Sequence, residues 1–324
     1  MKVGAAVVAT MLLTTGCGSA ASSSTPSPTP SSSNPPAAAV TPPTTIAPVE
    51  AESRATVDPT RRPVAADTAA GLAAQIVEAE RAVRDPTTSP DDLRFWGHTQ
   101  QVVYAALAAR PRWDDRVRRY VPAGLHLALD ANVAARRASA GLLPTEPATD
   151  LPAWRIITPE PAADLLTHYR AAEDATGIEW EYLAAINLTE TRMGRIIGDS
   201  TAGAQGPMQF LPTTWAEPGI GEGDIYDPAD AIAAAARYLV RRGGPDDMAA
   251  ALYGYNNSDS YVQAIEQYAR VLRDDPQAYD GFHQWQVYYA TAEGVIWLEE
   301  GYEQAEPAPV LDYLAEHPEA GPHG

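Results

Sequence analysis

The chain has 324 residues, 45% of them apolar, and a formal net charge of -19. That is enough material for one large folded domain or two ordinary ones, while the charge excludes nucleic acid as a partner, because a phosphate-backbone binder needs a clustered positive field. The single cysteine, Cys17, excludes an internal disulfide.

Lys2 followed by the apolar run from Val3 to Leu13 reads as an export signal, too short to span a bilayer as a mature helix. The stretch Leu13-Thr14-Thr15-Gly16-Cys17 resembles the lipobox of bacterial lipoproteins, with Thr14 where that motif usually holds Leu. The resemblance implies a signal peptide over 1–17, acylation of Cys17, and anchorage to the outer face of the cytoplasmic membrane. An ordinary secretory peptide with a chance cysteine is the alternative. Residues 18–66 are rich in Ser, Thr, Ala and Pro and bury too little to fold. They read as a disordered tether, reaching at most ~150 Å extended and about 40 Å as a coil.

Folding begins near Asp67. Over 67–143 apolar residues recur at helical spacing, with Leu93, Trp96, Val103 and Leu107 on one face. Ser89-Pro90 ahead of them reads as an N-cap with Pro at the first helical position. The region also gathers Arg110, Arg112, Arg116, Arg118, Arg119, Arg136 and Arg137. These either contact an anionic polymer or lipid headgroup or are solvated helix faces paired with Asp114, Asp115 and Asp130, and the second reading is the simpler. Residues 144–157, rich in Pro and Thr, read as a linker.

A second helical unit spans 158–305. Its predicted helices run from Thr158 through Tyr169, Trp180 to Met193, Asp227 to Arg242, Asp247 to Tyr255 and Tyr261 to Leu272. A Gly-rich loop occupies 194–206. Trp285 to Tyr289 and Val295 to Leu298 read as a short hairpin. Residues 306–324 form an acidic, exposed tail; after Arg273 there is no Lys or Arg. The fold class is mainly α.

The helix from Trp180 carries the chemistry. Leu183, Ile186, Glu190 and Met193 fall on one stripe, which puts a carboxylate where the core should be. Desolvation raises the pKa of such a group and suits it to general acid work. Alternatively Glu190 swings out to solvent or pairs with Arg192 or Arg195. The loop that follows, Asp199 to Trp215, combines Gly and Ala for close backbone approach with polar Ser200, Gln205 and Gln209 and apolar Met208 and Phe210, as a sugar groove requires.

Glu190-Thr191-Arg192-Met193-Gly194, Ser200 through Pro212, and Tyr253-Gly254-Tyr255-Asn256-Asn257 together resemble the three ordered motifs of lytic transglycosylases with a lysozyme-like SLT domain, especially the membrane-bound B type of bacterial lipoproteins. The likeness covers about Ala162 to Leu272. It implies cleavage of the bond between N-acetylmuramic acid and N-acetylglucosamine in peptidoglycan, leaving 1,6-anhydro ends. Glu190 is then the sole acid and base; Ser200, Gln205, Gln209, Tyr255 and Asn256 are then substrate-binding residues. Other readings of the same residues are open: Tyr255 as core, Ser200 as a turn residue, Gln209 as a cap. At the level of function, a hydrolytic muramidase of the same fold and an inactive peptidoglycan-binding lipoprotein are the alternatives. The implied partners are glycan strands and, through the lipid, the membrane. No cofactor or metal is expected: the run Gly219 to Asp224 lacks the alternating oxygen ligands of a calcium loop, and Asp227-Pro228 reads as a helix cap.

Overall fold

The computed structural model describes residues 61–322, which belong to one compact unit. The signal peptide, Cys17 and most of the tether lie outside the described residues. Four helices come first: α1 (Ala69–Arg84), α2 (Pro90–Ala108), α3 (Asp114–Tyr120) and α4 (His126–Ala140). The start of α2 is where the sequence puts it, with Ser89 Oγ accepting from Asp92 N at 3.2 Å and Pro90 in the first turn. Leu72 and Ile76 of α1 meet Val103 and Leu107 of α2, Val117 of α3, and Leu129 and Val133 of α4 in a local core.

The next elements are two short strands, β1 (Asp150–Leu151) and β2 (Arg155–Ile156), then α5 (Ala162–Thr176), α6 (Trp180–Thr191), β3 (Ile196–Ile197) and α7 (Pro212–Trp215). They are followed by α8 (Pro228–Arg241), α9 (Met248–Tyr255), α10 (Asp259–Asp274) and α11 (Ala278–His283). Side-chain caps set three of these starts: Asp227 Oδ1 accepts from Asp230 N at 3.1 Å, Asp247 Oδ1 from Ala250 N at 3.0 Å, and Ser258 Oγ from Tyr261 N at 3.4 Å. Helices α5, α6, α8, α9 and α10 bury one continuous core that includes Leu183, Ile186, Met208, Leu239, Leu252 and Leu272. Each such side chain contributes roughly 1.5–3 kcal/mol by leaving water.

The first four helices are not a separate body. Ala131 and Ala135 of α4 belong to the same core as α10, on the side of α4 opposite Leu129 and Val133. Two alanines let the helix axes approach closely. Arg136, wholly buried, lies 5.4 Å from the ring of Trp285. Two arginines of this region pair with aspartates, Arg118 with Asp130 at 3.2 Å and Arg137 with Asp114 at 2.7 Å, while Arg110 donates to Ala106 O at 3.0 Å.

A small β layer completes the unit, with β4 (Val287–Thr291), β5 (Gly294–Leu298), β6 (Ala308–Pro309) and a last helix, α12 (Val310–Glu316). The hairpin β4–β5 pairs Val287 with Leu298 through Thr291 with Gly294, as the sequence predicts. Residues 144–157, expected as a linker, hold β1, which pairs with β6, and β2, which pairs with β3. Residues 306–324, expected as an exposed tail, supply β6 and α12. The reason in both cases is apolar anchoring: Leu151, Ile156, Val310 and Ala320 are buried with Ile196, Val287 and Ile296. The fold is mainly helical, with no closed sheet, and among the described residues no helix is long and apolar enough to cross a membrane.

Candidate active site

Helix α6 ends in an unusual way. Arg192, Met193 and Gly194 take φ of 56°, 63° and 85°, three successive left-handed residues of which two are not glycine. Non-glycine residues in this region cost about 1 kcal/mol each, so the turn needs outside support. Thr191 supplies it: its Oγ1 donates to Pro207 O at 2.6 Å and accepts from Gly194 N at 3.0 Å. Met193 N donates back to Asn187 O at 3.2 Å. The helix end and the Gly-rich loop are thereby tied together, and Glu190 sits in the last turn between them.

Glu190 is 4% exposed. Its Oε1 accepts from the phenol of Tyr261, on α10, at 2.8 Å. Burial pushes the carboxyl up to about 8, against the opposing effects of the Tyr261 hydrogen bond and the nearby Arg192 guanidinium. Burial therefore favours the protonated form near neutral pH. Of the readings open from sequence, Glu190 is buried rather than turned out to solvent, the Arg192 guanidinium acts on its charge, and Arg195 is engaged elsewhere, 3.9 Å from Glu300 and donating to His283 O at 3.0 Å.

Glu190 lines a cavity of about 670 Å³, within the range of small-ligand sites. Ser200 and Gln209 line it too. Ser200 Oγ accepts from Ala204 N at 2.9 Å and Ala202 N at 3.2 Å, so the hydroxyl also closes its own turn. Gln209, at φ 51°, donates from Nε2 to Gly206 O at 2.9 Å. Gly206 has φ 73°, and a Cβ there would lie 1.9 Å from Ile225 O, which makes glycine obligatory at the base of the loop.

Gln205, Tyr255 and Asn256 are not among the residues that line this cavity. Gln205 is half-buried, pairs in a bridge with Phe210, and reaches Asp199 Oδ2 at 3.4 Å. Tyr255 is core: it packs on Phe210 and Tyr238, donates to Met208 O at 2.7 Å, and stacks on Tyr261 with ring centroids 6.2 Å apart. It bears on Glu190 through Tyr261. Asn256 caps the C-terminal end of α9 and is 7% exposed. Asp224, Asp227 and Asp230 hold backbone N–H groups of their own loop, and among the described residues no cluster of His, Cys, Asp or Glu could hold a metal ion.

Sequence reasoning missed two parts of the site. Tyr261 shares the buried stripe of α10 with Ala264, Ile265, Tyr268 and Leu272, and at that spacing it is indistinguishable from core. Much of the rest of the cavity lining comes from residues between 143 and 154 and from Tyr289 to Thr291, whose approach depends on the β layer and has no local signal.

Residues 168–277 match the transglycosylase SLT domain family. The membrane-bound lytic murein transglycosylase F of Thiobacillus denitrificans is 28% identical over 129 residues, 37% of this chain. The chain spans 27% of the length of that relative. No solved structure matches.

Proposed function

We propose that the chain, on the premise of the transglycosylase SLT domain it carries, is a lytic transglycosylase that cleaves peptidoglycan glycan strands between N-acetylmuramic acid and N-acetylglucosamine. The observation that supports this best is the buried Glu190 carboxyl at the wall of the cavity, held by Tyr261, where burial favours its protonated form. A protonated carboxylic acid is what departure of a sugar alcohol needs.

In this reading Glu190 donates its proton to the glycosidic oxygen as the bond from the muramoyl C1 breaks, and the N-acetylglucosamine leaves with a free hydroxyl. The N-acetyl oxygen of the muramoyl residue supports the cationic C1. The Glu190 carboxylate then takes the proton from the C6 hydroxyl of the same residue, whose oxygen closes on C1 to give the 1,6-anhydro ring. No water is consumed, and the intramolecular attack gains from high effective molarity. Ser200 and Gln209 bind the sugar from the Gly-rich loop.

Hydrolysis by a muramidase is the second reading, and Asp150 and Asp199 favour it in one respect: both line the same cavity, where a second carboxylate could activate water. Mass spectrometry of sacculi digested by the full chain decides between them. Anhydro ends that vanish with Glu190→Gln support the transglycosylase; reducing ends alone refute it. No cleavage by the wild type supports instead the inactive binding lipoprotein.

For location, we infer the cell envelope, with Cys17 acylated and the membrane as a partner; the relative's printed name, membrane-bound, and the apolar run before Cys17 support it. Labelling with radioactive palmitate, lost in Cys17→Ala, tests this.

A further inference from the structure

The SLT match begins at residue 168 and ends at 277, yet the cavity holding Glu190 is also lined by residues from before and after that span. Trp154 and Tyr289 are the large aromatic side chains among these. Their rings meet edge to face with centroids 5.5 Å apart, and both are half-buried.

Trp154 is held from three directions. Its Nε1 donates to Asp199 O at 3.2 Å, its edge contact is with Tyr289, and its indole lies against Gly198, where a Cβ would come within 2.3 Å of Cδ1. Tyr289 is fixed by its place in β4, paired with Ile296. A ring fixed in this way loses little entropy when a ligand packs on it. The acidic groups in the cavity point to the same kind of occupant: besides Glu190 they are Glu146, Asp150 and Asp199, and no Arg, Lys or His lines it. An anionic ligand is repelled there. A neutral pyranose is suited to it, since its C–H face packs on an aromatic ring and its hydroxyl and N-acetyl groups hydrogen-bond to Ser200 and Gln209.

We propose that Trp154 and Tyr289 form a sugar-stacking wall outside the SLT span, which holds a neutral N-acetylated hexosamine ring of the glycan in the cavity that Glu190 lines. This rests on the sugar-cleft reading given above. It adds a subsite supplied by the two flanking segments.

The test uses the full chain with Glu190→Gln, so that the probe stays intact, and β-1,4-linked N-acetylglucosamine oligomers as probe. The protein is labelled with 5-fluorotryptophan; of the seven tryptophan resonances, that of Trp154 is assigned by its loss in Trp154→Phe. Addition of the oligomer is expected to shift the Trp154 signal, and Trp154→Ala to weaken binding about tenfold, with Trp154→Phe recovering most of it. Binding that persists while the Trp154 resonance stays fixed overturns the wall and leaves the cleft reading standing. Absence of any binding overturns both. A Trp154→Ala protein that unfolds at the wild-type temperature and binds as the parent does also overturns the wall.

Discussion

Tyr261 Oη and Glu190 Oε1 lie 2.8 Å apart, joining α10 to α6 across 71 residues of sequence. The phenol donates to the carboxyl, and Tyr255 stacked behind it fixes the ring. This bond favours the carboxylate over the acid, so it pulls the Glu190 pKa down while burial pushes it up. Tyr261→Phe is therefore expected to move the alkaline limb of the rate profile to higher pH and to lower the maximal rate roughly tenfold through loss of orientation. A pH profile of glycan cleavage in which the limb moves to lower pH would contradict this assignment.

Glu190 ties activity to pH through its own titration. Its proton is lost at about 8, so cleavage should decline as pH rises past that value, and Glu190→Gln should lower the rate by roughly 100- to 10,000-fold below it, with the gap narrowing at higher pH.

Stability carries the same signature. The folded-state pKa of Glu190, about 8, is raised above the ordinary 4.5; the folded chain binds that proton more tightly than the unfolded one. The contribution is complete below pH 4.5 and is lost as pH rises through about 8. Denaturant unfolding of wild type and Glu190→Gln should show the wild type falling behind between pH 5 and pH 9, by roughly a few kcal/mol. A constant difference across that range would show that the carboxyl is not buried in its neutral form.

Thr191→Val tests the tie beneath the left-handed turn. The substitution keeps the shape and removes the hydroxyl, leaving Pro207 O and Gly194 N without this partner. A loss of roughly 1–3 kcal/mol is expected, measured by chemical denaturation. Cleavage should fall as well, because Glu190 sits one residue before this anchor.

Removal of the first four helices should cost the fold. A chain starting at residue 144 would expose the side of α10 against which Ala131 and Ala135 pack, and would strip Trp285 of Arg136. Circular dichroism is expected to show no cooperative melting for this fragment. A sharp transition near that of the intact protein would mean that the second helical unit folds alone.

Much of the helical order is legible in the sequence because it rests on local signals: Ser89-Pro90, Asp227-Pro228 and Asp247 mark starts by side-chain oxygens, and 3.6-residue periodicity marks the faces. Glu190 stands out because a carboxylate interrupts an apolar stripe. Tyr261 does not, since a tyrosine in such a stripe looks like packing until its hydroxyl is seen to meet Glu190. Gln205 and Asn256, picked by motif, do not line the cavity, whereas Trp154 and Tyr289 do. Their meeting follows from pairings such as Ala148 with Thr291, which join chain segments far apart in sequence and leave no trace in either segment alone.

The cavity is thus a composite: Glu190 comes from one stretch of polypeptide, Trp154 and Tyr289 from the stretches that flank it. On the proposed role of Glu190, an engineer who excised residues 168–277 to transplant the reaction would carry away the acid and leave most of its mould behind, and the hybrid's choice of polymer would be dictated by whatever new neighbours filled the gap.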